Sequence, residues 1–250
     1  MRTSPLLIAV SLLACSSAQR SQSTTPPAQT APVVAAATHV DAGTPGCPAA
    51  HGGMSIEGQL GTLPQPRVRA ALREAESRLT ACFTHRLETI PCLSGRVAFK
   101  IRVGEDGAVR WVMPTASTMG DRDTERCMQQ ELTHTDFGHP CGGEAEVTWS
   151  MEFDGGPDVR PATEWPATRL DALLRQRRAA LAACRNGNAA ELAVTLYAAP
   201  GATATSVATA GVSIPTPEAE AVADCVLREV RAWRLPSPGS WYARATVNIP

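Results

Sequence analysis

The residues best suited to chemistry lie between positions 133 and 141, in the stretch THTDFGHPC. His134, Asp136, His139 and Cys141 offer imidazole, carboxylate and thiolate groups, which are the ligand types that bind zinc. A metal bound by His134, His139 and Cys141 would make the chain a metal-binding protein or a metal-dependent hydrolase. A structural zinc site needs a fourth ligand, however, and the sequence supplies none nearby. A metal site is therefore the alternative hypothesis for this loop.

The rest of the sequence offers no recognisable catalytic motif. It has no Gly-rich phosphate loop, no G-x-S-x-G turn and no H-E-x-x-H helix. The 23 basic and 24 acidic residues give a net charge of −1, so there is no basic excess to attract nucleic acid. We therefore expect a protein that is not an enzyme, with no catalytic residue, no cofactor and no nucleic-acid partner.

The first fifteen residues, MRTSPLLIAVSLLAC, have the features of an export signal. Arg2 precedes an apolar run at residues 6–14 that is too short to span a bilayer. The run ends in LLAC, which resembles a bacterial lipobox and makes Cys15 the expected site of lipidation. Ser16 resembles the sorting context of outer-membrane lipoproteins. An ordinary secretory signal with an incidental cysteine remains the alternative.

Residues 16–60 are rich in Ser, Thr, Pro, Ala and Gln and poor in large apolar side chains. Such a composition cannot bury enough surface to offset the entropy lost on ordering, so it predicts a disordered tether. A lipid anchor, a tether and a folded body together indicate an envelope lipoprotein. We expect the body to face the periplasm from the outer membrane.

The folded body contains two stretches with the same order of elements. Each begins with a helix whose apolar residues recur at helical spacing and end on a cysteine. Two alternating strands, a second helix with a cysteine, and a last alternating strand follow in both. The apolar positions of the opening helices are Val68, Leu72, Ala75, Leu79 and Cys82 in the first, and Leu170, Leu173, Leu174, Leu181 and Cys184 in the second.

The strands of both stretches show period-two alternation, which places their apolar residues on one face. The expected buried faces are Val97, Phe99, Ile101 and Val103, then Val109, Trp111 and Met113, then Val147, Trp149, Met151 and Phe153 in the first stretch; in the second they are Leu192, Val194 and Leu196, then Ala243, Ala245, Val247 and Ile249. The second helices are expected to begin after caps at Asp121 and Thr216.

This order predicts an α+β fold built from two tandem small domains. Each domain is helix-strand-strand-helix-strand, with a three-stranded antiparallel sheet covered by two helices. The Gly- and Pro-rich segment 155–167 is expected to link a first domain at 61–154 to a second, divergent domain at 168–250.

Eight cysteines in an exported chain indicate disulfides. Since Cys82 and Cys127 occupy the same repeat positions as Cys184 and Cys225, the simplest pairing joins the two helices within each domain. Redox or zinc cysteines are the alternative, but no C-x-x-C pair exists. Once Cys15 is assigned to lipid, three cysteines remain: Cys47, Cys92 and Cys141. Their expected positions favour Cys47 with Cys141, and Cys92 stays open as a partner.

The first domain resembles the AgmX/PglI C-terminal domain family of gliding-motility proteins, which is itself similar to the TonB C-terminal domain. The resemblance rests on Gly95-Arg96-Val97, Gly107-Ala108-Val109, Ser117-Thr118, Cys127-Met128, the loop from 137 to 143 and the last strand from 147 to 153. It extends more loosely over 168–249, through Cys225-Val226, Trp233, LPSPG and the last strand.

The resemblance implies an interaction or scaffold domain in the cell envelope with no catalytic residues and no cofactor. Its likeness to TonB suggests that an envelope protein or peptide adds a strand to the free edge of the three-stranded sheet. Residues 133–141 then align with 231–239, so that Phe137 matches Leu235 and Pro140 matches Pro238. The loop is accordingly interpreted as a connection between helix and strand.

Overall fold

The computed structural model describes residues 60–188 and 190–249. The expected signal, the lipidation site at Cys15, Cys47 and all of the tether except Leu60 lie outside the described residues. The described chain is a mixed α+β protein. None of its helices combines the length and apolar character needed to cross a membrane.

The first half contains two helices and one antiparallel sheet. Its elements are α1 (Gln65–Leu87), β1 (Gly95–Val103), β2 (Val109–Ser117), α2 (Arg122–Thr133) and β3 (Ala145–Phe153). The strand order is β2-β1-β3, so β1 is central. This is the expected order of elements, and the sheet is three-stranded.

The core of the first half lies between the sheet and the two helices. The central strand supplies Val97, Phe99, Ile101 and Val103, all completely buried, as its alternation predicted. The buried residues of α1 are Ala71, Leu72, Ala75, Leu79, Cys82 and Phe83. Because these residues recur every three or four positions, they form one stripe along the helix and fix it on the sheet.

Strand β2 departs from the predicted one-face pattern. Arg102 pairs with Trp111 and Val103 with Val109, which leaves Arg110 as an extra residue in a bulge. Val109 therefore packs on the first core, whereas Trp111 and Met113 contact the core of the second half. The prediction that these three side chains share one face was wrong, because alternation holds only in a strand without a bulge.

The second half has a larger sheet than expected. Its long strands are β5 (Leu192–Ala198), β6 (Thr205–Val212) and β8 (Ala243–Ile249). Two short strands add to its edges: β4 (Thr163–Glu164) pairs in parallel with β8, and β7 (Arg234–Leu235) pairs with β6. The strand order is β4-β8-β5-β6-β7, which corrects the prediction of three strands. The remaining elements are a 3₁₀ turn at Ala167–Leu170, α3 (Asp171–Arg185) and α4 (Pro217–Arg231).

Part of the segment expected to be a linker belongs to the folded body. Strand β4 lies within 155–167, and Trp165 packs into the second core with 7% of its surface exposed. Two residues are too few to show a hydrophobic period, and the surrounding prolines gave the segment the composition of a linker.

Disulfides join the two helices within each half. Cys82 bonds to Cys127 and links α1 to α2, and Cys184 bonds to Cys225 and links α3 to α4. These are the two pairings expected from the repeat. Cys141 is also disulfide-bonded. Cys92 is a buried free thiol, which removes it as the partner of Cys141.

The two halves pack against each other, and the described residues fall within a single compact unit. Helix α2 and strand β2 of the first half contact β6 of the second. Gly211 of β6 makes this approach possible, because a Cβ atom there would lie 2.4 Å from Oε1 of Glu125. The junction between the halves is therefore closely packed.

Candidate functional site

Strand β3 forms an open edge of the first sheet. Its partner on one side is β1, and no strand pairs with its other side within the part of the chain that the structure describes. The opposite edge, β2, is covered by the second half: Ile214 donates to the carbonyl of Pro114 (2.8 Å), and the Ser213 hydroxyl accepts from the amide of Ser117 (2.9 Å). The open edge of this sheet is thus β3.

The direction of the backbone groups on β3 follows from the pairing. The carbonyl of Arg96 accepts from Thr118 beyond β2, so the even-numbered residues of β1 point toward β2 and the odd-numbered ones toward β3. Val97 pairs with Met151 and Phe99 with Trp149, so the odd-numbered residues of β3 bond to β1. The residues whose N–H and C=O groups point outward are Glu146, Thr148, Ser150 and Glu152.

Residues before α1 form hydrogen bonds at the start of this open edge. Gly61 donates a hydrogen bond to the carbonyl of Glu144 (2.8 Å), and Thr62 and Cys141 exchange two hydrogen bonds of 2.8 and 2.9 Å. A short segment is therefore already hydrogen-bonded to residues just before β3, on the side of its open edge.

A groove runs beside the open edge, between β3 and α1. It has a volume of about 360 Å³ and is lined by Trp149, Met151 and Leu72, with Arg69, Arg73, Glu76 and Ser150 around them. Trp149 stacks on the buried ring of Phe99 with a centroid distance of 6.4 Å, which holds the indole in place. The groove is thus apolar at its base and charged at its rim.

The rim of the groove has an excess of positive charge. Arg69 and Arg73 are exposed on α1, one turn apart, and in the described part of the chain neither forms an ion pair or hydrogen bond. Glu76 is the acidic residue beside them. Two unpaired guanidinium groups next to an apolar surface favour a ligand with carboxylates.

The residues of the predicted metal loop have other partners. Asp136 accepts hydrogen bonds from Arg67 and from the amide of Gly138 (2.8 Å), which lower its pKa. Nδ1 of His139 lies 3.2 Å from the carbonyl oxygen of Glu105, and His134 ends α2. Cys141 is disulfide-bonded, so its sulfur is not a thiolate. Among the described residues, no group of three or more His, Cys, Asp or Glu side chains is arranged to hold a metal.

A second group of polar residues lies buried at the start of α2, and the sequence indicated only one of its roles. Asp121 is the expected cap: its carboxylate accepts from the amide of Thr124 (3.0 Å) and from Arg86 of α1 (3.0 Å). It also accepts from Thr209 of β6, across the junction. A capping residue is recognisable from spacing, but a partner 88 residues away is not.

Arg122 and Glu125 complete this buried group. Arg122 is 1% exposed and forms ion pairs with Glu220 and Asp224 of α4. Glu125 is fully buried and accepts a 2.6 Å hydrogen bond from Ser117. Burial raises the pKa of Glu125 to about 7. Arg122 and Glu125 are enclosed between packed elements, so we assign this buried group to joining the halves.

The free thiol at Cys92 is similarly enclosed. Burial raises the pKa of Cys92 to about 11, so it stays protonated and is a poor nucleophile.

Comparison of the chain with protein-family models, curated proteins and solved structures finds no match. The functional interpretation therefore depends on the open edge of β3 and its groove.

Proposed function

We propose that this protein is a non-enzymatic interaction module that binds an extended peptide segment of a partner protein along the open edge of β3. The observation that carries the proposal is the row of outward-facing backbone groups beside a preformed apolar groove. Strand addition uses these two features together, since the main chain provides affinity and the groove provides selectivity.

The geometry indicates which parts of the partner would make contact. Its backbone would hydrogen-bond to Glu146, Thr148 and Ser150, and alternate side chains would point toward the α1 side of the sheet. Those side chains would pack on Trp149 and Met151, so apolar residues at every second position suit the groove. Acidic residues beside them would pair with Arg69 and Arg73.

The proposal includes the setting expected from the sequence. A lipid on Cys15 would attach the chain to the outer membrane, and the tether would let the body reach envelope proteins. Membership of the AgmX/PglI C-terminal domain family, with its likeness to TonB, is part of this proposal.

Two tandem copies of one domain also belong to the proposal. The shared order of elements and the helix-to-helix disulfide in each half support it. In the second copy, the two-residue strands β4 and β7 occupy the edges of the sheet. The first copy would accordingly be the binding copy.

Photo-crosslinking in the native envelope tests this function. A photoreactive amino acid at Glu152, whose side chain is exposed at the end of the edge, should crosslink to the partner. Thr148→Pro removes one outward N–H without touching the bonds to β1, so it should abolish the crosslink. Thr148→Ala keeps the N–H and should retain it.

Two controls make the result specific. The same photoreactive residue at Ala179, which is exposed on α3, should not capture that partner. Thermal unfolding should show that the proline variant is folded, because an edge strand tolerates proline where its N–H faces outward. Equal crosslinking by the proline and alanine variants would contradict strand addition.

A further inference from the structure

The Cys82–Cys127 disulfide lies at a cleft between α1 and α2. The cleft has a volume of about 530 Å³, and both cysteines line it together with Arg78, Ala81 and Arg86. Cys82 is 8% exposed, whereas Cys127 is an exposed residue. A disulfide is attacked at the sulfur that a thiolate can reach, so the more exposed residue, Cys127, is the expected point of attack.

Two arginines flank the less exposed sulfur. Arg78 and Arg86 lie four residues before and after Cys82, so they share its face of α1. Arg78 forms an ion pair of 2.9 Å with Glu131, and Arg86 pairs with Asp121 and Asp123. His85 and Glu88 are the other charged groups of the lining. Because the lining also contains the carboxylates of Glu88, Asp123 and Glu131, the two guanidinium groups offset its negative charge, and loss of either would disfavour a thiolate at Cys82.

The disulfide of the second half differs in these features. Cys184 and Cys225 are both half-buried, so neither residue is as exposed as Cys127. The positions four residues before and after Cys184 are Ala180 and Asn188, and neither side chain carries a charge. The second disulfide has the same place in the repeat but lacks an exposed cysteine and has no arginine four residues before or after Cys184.

We propose that Cys82–Cys127 is a thiol-exchange site, at which a low-molecular-weight thiol attacks the sulfur of Cys127. The new bond joins the incoming sulfur to Cys127, and the electron pair of the broken bond leaves with Cys82 as a thiolate. A second thiol molecule then attacks the mixed disulfide and releases the Cys127 thiolate. One protein disulfide is reduced while two thiols are oxidised to one disulfide.

The cleft is better suited to a small thiol than to the surface of a partner protein. The volume of about 530 Å³ lies within the usual range for small-molecule sites and admits a compound the size of a tripeptide. The opening lies between two helices, so an incoming sulfur on a small molecule can approach Cys127 without displacing either. Exchange would unlink α2 from α1, the helix to which it is bonded.

Glutathione is the probe for this site. The full mature protein is incubated with reduced glutathione, quenched by alkylation at timed intervals, and followed by peptide mass mapping at Cys82, Cys127, Cys184 and Cys225. We expect Cys82–Cys127 to open at least ~10-fold faster than Cys184–Cys225, with the glutathione adduct on Cys127. Equal rates, or an adduct found first on Cys82 or Cys184, would overturn the proposal.

Substitutions in the cleft separate this proposal from simple exposure of a surface disulfide. Arg78→Gln removes one flanking cation and should slow the opening of Cys82–Cys127 several-fold. Ala81→Trp should slow it further by filling the cleft, since Ala81 is exposed and the ring can occupy the opening. The matched control is Ala183→Trp, which precedes Cys184 as Ala81 precedes Cys82.

The second disulfide of the same molecule reports any general loss of structure. Faster opening of Cys184–Cys225 in the Ala81→Trp protein would reveal unfolding. In that case the opening rate of Cys82–Cys127 in the Arg78→Gln protein is the test of the proposal. If neither cleft substitution changes the rate at Cys82–Cys127, or if Ala183→Trp slows it equally, the cleft has no part in exchange and the proposal fails.

Discussion

Glu125 is a buried carboxylic acid with few polar partners. Its Oε1 atom accepts from Ser117, and its Oε2 atom has no hydrogen-bond partner among the described residues. Burial raises its pKa to about 7; the nearby Arg122 opposes this rise and Asp121 adds to it. The residues of β6 that pack against this carboxyl group are uncharged and include Gly211. The protonated form is therefore favoured in the folded protein below about pH 7.

The stability of the fold should depend on this proton. The folded-state pKa of about 7 lies above the ordinary value of 4.5, so the folded protein binds more protons than the unfolded chain between these values. The contribution of Glu125 is greatest below pH 4.5 and is lost as pH rises to 7. We expect the free energy of unfolding to fall by about 2 to 3 kcal/mol from pH 5 to pH 8 through this group.

Glu125→Gln removes the titration and should flatten the curve, as measured by urea unfolding at several pH values. Glu131→Gln changes a partly exposed acid of the same helix and should leave the slope in place. A Glu125→Gln protein that keeps the slope of the unchanged chain would contradict the assignment.

At the scale of elements, the two opening helices are held by different forces. Helix α1 buries six side chains, whereas α3 fully buries only Leu181. Helix α3 depends more on its disulfide, on the ion pair between Arg177 and Glu229 (3.4 Å), and on hydrogen bonds from Arg185 to three carbonyl groups, of Asn188, Ala190 and Ile249.

This difference predicts unequal effects of removing the two disulfides. The bonds close loops with sequence separations of 45 and 41 residues, so each loss should cost about 4 kcal/mol in the chain-entropy picture. Hydrogen exchange should show α3 losing protection after Cys184→Ala with Cys225→Ala. Helix α1 should stay protected after Cys82→Ala with Cys127→Ala. Equal protection of α1 and α3 in their respective variants would refute this account.

At the scale of the whole molecule, each half completes the core of the other. Met113 of the first half lies in the second core, and Tyr197 of the second half lies in the first. The Tyr197 hydroxyl donates to the carbonyl of Ser94 (3.1 Å), and Arg244 donates to the same oxygen (2.8 Å). Arg122 adds a buried cation that pairs across the junction.

These shared contacts predict that the halves unfold together. Calorimetry should show one transition whose calorimetric and van't Hoff enthalpies agree. Fragments 61–154 and 168–250, cut at the boundaries expected from the sequence, should each be less stable than the whole, because separation exposes Met113 and Tyr197. Two resolved transitions in the whole chain, or fragments as stable as the chain, would show independent halves.

The sequence predicted what depends on local periodicity. Helix stripes, the alternation of β1 and β3 and the cap at Asp121 follow from spacing within one half, and the cysteine pairs follow from the matching positions of the two halves. Strand β5 shows the limit: Leu192, Val194 and Leu196 are buried as predicted, but Thr195 and Tyr197 on the other face are buried too. Their burial depends on the neighbouring half, and no local pattern reveals it.

The candidate site was also only partly predictable from the sequence. A free sheet edge was expected from the resemblance, but the sequence did not show which of two edge strands is open. That depends on Ser213 and Ile214, which reach β2 from almost a hundred residues away. The bulge at Arg110 turns Trp111 and Met113 toward the second half, and bulges leave no regular sequence signal.

The pairing of Gly61 and Thr62 with Glu144 and Cys141 has a mechanical consequence. These hydrogen bonds are the first backbone contacts between the chain and the sheet in the described residues, so tension transmitted along the backbone through Leu60 would load them. The loaded point adjoins the start of β3, where a partner strand would end. The loop that offered ligands for a metal is therefore also the place where a pull on the chain would reach the edge that we propose for binding.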